Sequence, residues 1–412
     1  MKKSLLALAV AGAFSSAAFA QSSVTLFGVV DTAISYYTGD KNGHVWALTN
    51  SGLNSSRLGV RGTEDLGGGL KANFWFEAGV ATDNGSGANT NTNNQLNGGA
   101  PTVTTTTTYA AGVIQPNGVA CAPVAPATTC SFSSNSTNVS QNGAQGLTFN
   151  RRMTVGLSGG WGELRLGRDY TPLFWQITNY DPFGTNGVGG TLAQGLTGII
   201  PTNPTANFVQ ATVRTSNAIE YLTPNTIGGM YAHLMYAFGE NPSTASNSRD
   251  GQTISGRLGY AGGPVDVGVA YTKVYLLSAP TQGSFEGVSV GGTLTFGNFT
   301  PVLMWVRNKV DVSVGSVPQT DNWLAGITMH FGATDLRLAY NYYNVAHTSN
   351  DAQSFSIGPV YNLSRRTALY ATYTLLDNKG DGTFFAPNGS TRPSAKPGGN
   401  ASGLDFGIRH AF

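Results

Sequence analysis

Apolar side chains recur at every second position in one short segment after another, and that interval decides what this chain can fold into. At the C-terminus Leu404, Phe406, Ile408, His410 and Phe412 share one side of an extended strand, and Asp405, Gly407, Arg409 and Ala411 share the other. An interval of two is the strand period. The same alternation sets Leu58 and Val60 against Arg57 and Arg61, and Leu70, Ala72, Phe74 and Phe76 against Lys71, Asn73, Trp75 and Glu77. Ile254, Leu258 and Tyr260 oppose Arg257; Val265, Val267, Val269 and Tyr271 oppose Asp266, Gly268 and Ala270. Leu336, Leu338, Tyr340 and Tyr342 oppose Asp335, Arg337 and Asn341.

A soluble sandwich shows alternation too, so the surroundings must choose between the two. The first residues, MKKSLLALAVAGAFSSAAFA, have two lysines, an apolar stretch and a small-residue end, the layout of a secretory signal peptide cleaved after Ala20. The expected organisation is therefore a signal peptide over 1–20 and one β-barrel over 21–412. Only 11% of the residues are charged, against about 25% in an ordinary soluble domain, so something other than charge covers the surface. Without Lys2 and Lys3 the remaining chain is formally neutral, and nothing in it recruits nucleic acid. After Ala20 no uncharged apolar run is long enough to cross a bilayer as a helix. A closed β-barrel is the other structure that pairs every backbone group in lipid.

The links between strands support the barrel. Seven are short and rich in Gly, Asn and Pro, at 64–69, 159–162, 223–229, 261–264, 297–298, 332–334 and 362–366. Eight are long and polar, at about 38–52, 81–149, 169–213, 239–252, 274–285, 309–320, 345–353 and 377–401. These links imply sixteen antiparallel strands, an all-β transmembrane barrel with short periplasmic turns and long extracellular loops. Sixteen strands leave room for an aqueous lumen. Aromatic residues near strand ends, among them Tyr36, Tyr37, Trp75, Tyr236, Tyr271, Tyr342, Tyr343, Tyr373 and Phe412, fit girdles at the lipid headgroups.

The blocks QSSVTLFGVVDTAISYY, SSRLGVRGTEDLGGGLKANFWFE, FNRRMTVGLSGGWGELRLGRDYTP, NAIEYLTPNTIGGMYAHLMYAFGE, NLSRRTALYATYTLL and GIRHAF together resemble the general diffusion porins of betaproteobacteria. The resemblance runs from Gln21 to Phe412 and is loose in the long loops. It implies a homotrimer of sixteen-stranded barrels in the Gram-negative outer membrane, each with a pore for small hydrophilic solutes and ions, surrounded by outer-membrane lipid. It also implies that the alternating C-terminal strand ending in Phe412 is the signal read by the barrel assembly machinery. The third long segment should fold back into the barrel and narrow it, with Asp181 as the candidate carboxylate of the constriction or as the cap of its own turn before Pro182. Arg57, Arg152 and Arg214 match positions of a constriction arginine cluster, with Arg151 an alternative to Arg152.

Period two adds Arg61, Lys71, Arg165, Arg337 and Arg409 to the lumen, opposed by Glu77 and other acids, with cross-strand ion pairing as the competing role. Few acids lie near Arg57, Arg152 and Arg214 in sequence, and three positive charges at a narrowing give a mild anion preference. Cys121 and Cys130, both in 81–149, are expected to pair in an oxidising compartment. No metal-ligand spacing and no cofactor motif is present. GLSGG at 156–160 and GVSVG at 287–291 match a nucleophile motif, but no helical pattern follows either. A substrate-specific channel, or an adhesin or receptor centred on the long loops, are the other functions such a barrel could carry.

Overall fold

The computed structural model describes residues 23–87, 103–110, 129–136, 147–192, 213–224, 227–244, 248–276, 283–312, 319–385, 393 and 395–412. The expected signal peptide and Cys121 lie outside them, and so does the expected disulfide. Strands β1 (Ser23–Gly39), β2 (Gly43–Asn50), β3 (Arg57–Gly67) and β4 (Leu70–Gly79) open the barrel. A separate hairpin follows, formed by β5 (Val103–Ala110) and β6 (Thr129–Ser136). The barrel resumes with β7 (Arg152–Gly159), β8 (Gly162–Tyr170), β9 (Arg214–Leu222), β10 (Met230–Ala237), β11 (Thr253–Gly262), β12 (Val265–Leu276) and β13 (Gly283–Leu294). It ends with β14 (Phe299–Val312), β15 (Thr320–Phe331), β16 (Thr334–Val345), β17 (Ala352–Asn362), β18 (Thr367–Asn378) and β19 (Asn400–Ala411). Among the described residues one helix, α1 (Pro172–Asn179), stands between β8 and β9.

Every neighbouring pair is antiparallel, and β1 closes the ring by pairing with β19. The upper part of β1 pairs with β2 and the lower part with β3, so β2 and β3 are halves of one wall strand. Counting them as one, the barrel has sixteen strands. All seven short links contain the turn between two strands, although the first shrinks to Gly68 and Gly69 because residues 64–67 belong to β3. The first long link does not: 38–52 is mostly strand, because Gly43 at a φ of 81° lets the chain turn tightly into β2. The hairpin in 81–149 is a second departure. Its VTTTTTYA run has no apolar face, but β-branched threonines suit a pleated strand.

Lipid and lumen faces separate by parity. Leu26, Leu48, Leu303 and Phe406 are more than half exposed, whereas Ser35, Thr272, Ser289, Asn341, Ser356 and Thr374 are buried. Parity also turns some of the aromatics inward: Tyr37 and Tyr343 are buried, and Trp75 joins the lumen wall rather than a girdle. The last residue completes the seam, since Gly28 and Phe412 exchange both backbone hydrogen bonds at 3.1 Å. A side chain at Gly28 would collide with the Phe412 ring, so the glycine makes the space the terminal ring fills.

The interruption between β2 and β3 is built around Asp31. Its carboxylate accepts from the backbone N–H groups of Leu53 (2.8 Å) and Asn54 (2.5 Å) and from the Tyr370 hydroxyl (2.5 Å). Backbone donors that leave the ladder are thereby paired with a side chain. The gap exposes the Gly52 carbonyl to the lumen, where the third loop reaches it.

Candidate functional site

The third loop begins when β8 runs out at Tyr170. Thr171 caps α1 by accepting from the Phe174 N–H at 3.2 Å, and Pro172 starts the helix. Leu173, Ile177 and Tyr180 pack with Ala270, Val302, Met304, Val306 and Leu324, so the helix lies on the inner wall of β12–β15. The Tyr180 hydroxyl donates to Asp266 (2.7 Å), and Gln176 accepts from Arg257 (2.7 Å). Beyond the helix the Val188 N–H donates to Asp405 on β19 (2.9 Å), and Thr191 meets Asn341 on β16 (3.0 Å). The loop therefore lines one side of the lumen and narrows it. Its irregular backbone is tolerated at this depth because it packs on protein and faces water.

The opposite wall is arginine-rich. Six arginines (Arg57, Arg61, Arg151, Arg152, Arg165 and Arg214) line it or the start of its strands, with four carboxylates among them (Glu77, Glu163, Asp169 and Glu220). Arg151 and Arg57 converge on Glu77, at 2.7 and 4.0 Å. Arg152 and Arg165 converge on Asp169, at 3.1 and 3.2 Å. Arg151 and Arg214 both donate to the Tyr170 hydroxyl, the latter at 2.7 Å, and the Arg214 guanidinium lies 4.2 Å over the Tyr170 ring. Tyr170 stacks in turn on Phe174, with ring centroids 5.1 Å apart, and so joins the arginines to the root of the loop.

Arg57, Arg152 and Arg214 thus stand on one wall, but not without acids. Glu77 and Asp169 are distant from their partners in sequence and adjacent across the ladder, where Glu77 pairs in register with Arg152. Between the two adjacent arginines the structure gives different positions: Arg152 lies in the strand, and Arg151 precedes it, buried against Glu77. Tyr170 is the residue that sequence reading did not single out; Glu220, one of the acids that period two sets against the lumen arginines, is buried against His233 at 2.8 Å. Lys71 sits at the turn end of β4, and Arg337 and Arg409 rise from β16 and β19, on the wall to which the loop is docked.

Asp181 is on the loop but turned into it. Its carboxylate accepts from the N–H groups of Phe183 (2.9 Å), Thr185 (2.9 Å) and Thr191 (2.8 Å), which is the capping role. Burial pushes its carboxyl up to about 6, opposed by those donors and by the charge of Arg337. Because the ionised form is the one penalised in the fold, that penalty lifts as pH falls through about 6. From about pH 7 to about pH 5 the loop also loses its negative charge, so anion preference rises on acidification. Asp181→Asn should remove this contribution, read as the difference in reversal potential between the two pH values.

Neither glycine-serine motif forms a nucleophile elbow. Ser158 is the next-to-last residue of β7, ahead of a tight turn into β8, and Ser289 lies inside β13. Among the described residues no group of three or more His, Cys, Asp or Glu side chains could hold a metal ion.

Comparison with known proteins agrees with this geometry. Residues 7–381 match the family model described as Gram-negative porin. The chain is 33% identical over 417 residues to outer membrane porin protein 32 of Delftia acidovorans, each chain being covered in full. An outer membrane porin protein of Bordetella pertussis is 25% identical over 469 residues, again with full coverage of both. Among solved structures, an anion-selective porin from Comamonas acidovorans superposes with a TM-score of 0.73 at 30% identity, covering 95% of this chain and 100% of that one. OmpT of Vibrio cholerae shares the fold at 13% identity, with a TM-score of 0.60 and coverage of 95% and 98%. A closed sixteen-stranded barrel with a loop folded into its water-filled lumen is a passive channel, and the chain belongs to the Gram-negative porin family of the outer membrane.

Proposed function

We propose that the channel favours small anions and works as a homotrimer, with residues 1–20 removed as a signal peptide. The observation that carries the anion preference is the asymmetry of the narrowing. Six arginines and four carboxylates share one wall, while the loop opposite has Asp181 as its only charged residue from Pro172 to Val213, and that carboxylate is spent on backbone donors. A positive wall in a confined aqueous passage raises the local anion concentration. The related Comamonas porin is described as anion-selective, which supports the same sign here. A trimer form is known for the OmpT fold relative.

Arg57, Arg152 and Arg214 are the residues assigned to the selectivity, with Arg61 and Arg165 extending the positive wall toward the short-turn end. The refolded protein in a planar bilayer under a tenfold KCl gradient should show stepwise conductance with a reversal potential of anion-favouring sign. A cation-favouring potential overturns the selectivity, and a folded protein that passes no current overturns the open pore.

A further inference from the structure

Below the loop, on the arginine wall, the lumen opens into a bay of about 480 Å³. Arg61, Trp75, Arg152, Arg165, Thr154 and Ser158 contribute to its lining, and no residue of the third loop does. It lies toward the short-turn end, so a solute crossing inward passes the loop first and the bay second.

Two features distinguish the bay from a stretch of polar wall. The first is a layered stack of cations and rings: the guanidinium carbons of Arg61 and Arg152 lie 5.0 and 4.5 Å from the Trp75 ring centroid. Phe27 meets the same indole at 4.9 Å and also carries Arg61, at 5.3 Å. The second is how the arginines are balanced. Arg165 is held by Glu163 at 2.7 Å and Arg152 by Asp169 at 3.1 Å. Arg61 is exposed, and its guanidinium rests on two aromatic rings rather than on a carboxylate. A cation oriented by rings keeps its donors for a ligand, because the stacking uses its face and leaves the edge of the fork open.

We infer that this bay is a docking site for small aromatic carboxylates, the anion bound by Arg61 and the flat apolar body held against the Trp75 ring. The inference rests on the anion-favouring reading and narrows it to a ligand class. Chloride and acetate satisfy the cation alone. A ring-bearing carboxylate satisfies the cation and the aromatic surface together, and that added contact is worth about tenfold in binding. Such a site makes flux of aromatic carboxylates saturable, and its occupation lowers the chloride current that shares the passage.

The test measures inhibition of chloride current through the full-length channel by sodium benzoate and by sodium acetate, each added over a concentration series. Benzoate should reach half-inhibition at about one tenth of the acetate concentration. In Trp75→Leu that ratio should fall to about one, and in Trp75→Phe, which keeps an aromatic face, it should stay clearly above one. Arg61→Gln should weaken both inhibitors together. Equal potency of the two acids on the parent channel overturns the inference, as does an undiminished benzoate advantage in Trp75→Leu. Because the ratio is taken within each variant, altered channel yield does not enter it. The KCl reversal potential is read separately: a cation-favouring sign there overturns the proposed function, whereas an anion-favouring sign with no benzoate advantage overturns only the bay.

Discussion

Replacing Arg57, Arg152 and Arg214 together with glutamine lowers the anion-to-cation permeability ratio by about tenfold in dilute salt, measured as reversal potential under a KCl gradient. The magnitude follows from Coulomb's law. An ion passing about 8 Å from one guanidinium in water gains or loses about 0.5 kcal/mol, with opposite sign for anion and cation, and screening near 0.1 M roughly halves this. Each arginine therefore changes the ratio about twofold, and three compound to about tenfold. The variant should fold because each partner keeps a second donor. Glu77 retains Arg151 at 2.7 Å, Asp169 retains Arg165 at 3.2 Å, and the Tyr170 hydroxyl retains Arg151. Raising the salt should shrink the difference between parent and variant. If the ratio does not move in a folded triple variant, the three arginines balance their acids and the selectivity lies elsewhere on the wall.

That redundancy could not be read from the chain. The tight turns and the two faces of each strand were legible, because period two and a Gly- or Asn-rich turn are local properties. Period two alone puts Phe74 and Phe76 on one face and Trp75 and Glu77 on the other, whatever the neighbouring strands are. Ion pairing is different. Asp169 meets Arg152 because β7 and β8 pair, and Glu77 meets Arg151 across 74 positions of chain. The three-arginine set therefore looked free of acids in sequence and is not. The interruption between β2 and β3 was hidden for the same reason, since Asp31 and Tyr370 are 339 positions apart. Asp181 shows the opposite limit: its place on the third loop follows from chain order, yet which way its carboxylate points depends on Thr185 and Thr191 folding around it.

Gly187→Val dislodges the tip of the third loop and replaces one steady open-channel current with flicker among several levels, while the barrel itself stays folded. The reason lies in how little space the tip has where it docks. Gly187 adopts a φ of +60°, which a β-branched residue resists, and a Cβ there would run into the Gly52 carbonyl and lie 2.9 Å from the Asp405 carboxylate. Both contacts are to the seat itself: Gly52 is in the gap organised by Asp31, and Asp405 accepts from Val188. The sixteen-stranded ladder does not depend on this seat, so loss of the tip is expected without loss of the wall. Gly184→Ala separates strain from collision, since Gly184 has the same φ of +60° but a Cβ there would meet only the Asn186 amide at 3.7 Å. That variant should conduct quietly at the parent level. Single-channel recording decides the matter: a steady parental current through Gly187→Val would mean that the Gly52 and Asp405 seat does not hold the loop, and that packing of α1 on β12–β15 is enough to fix the narrowing.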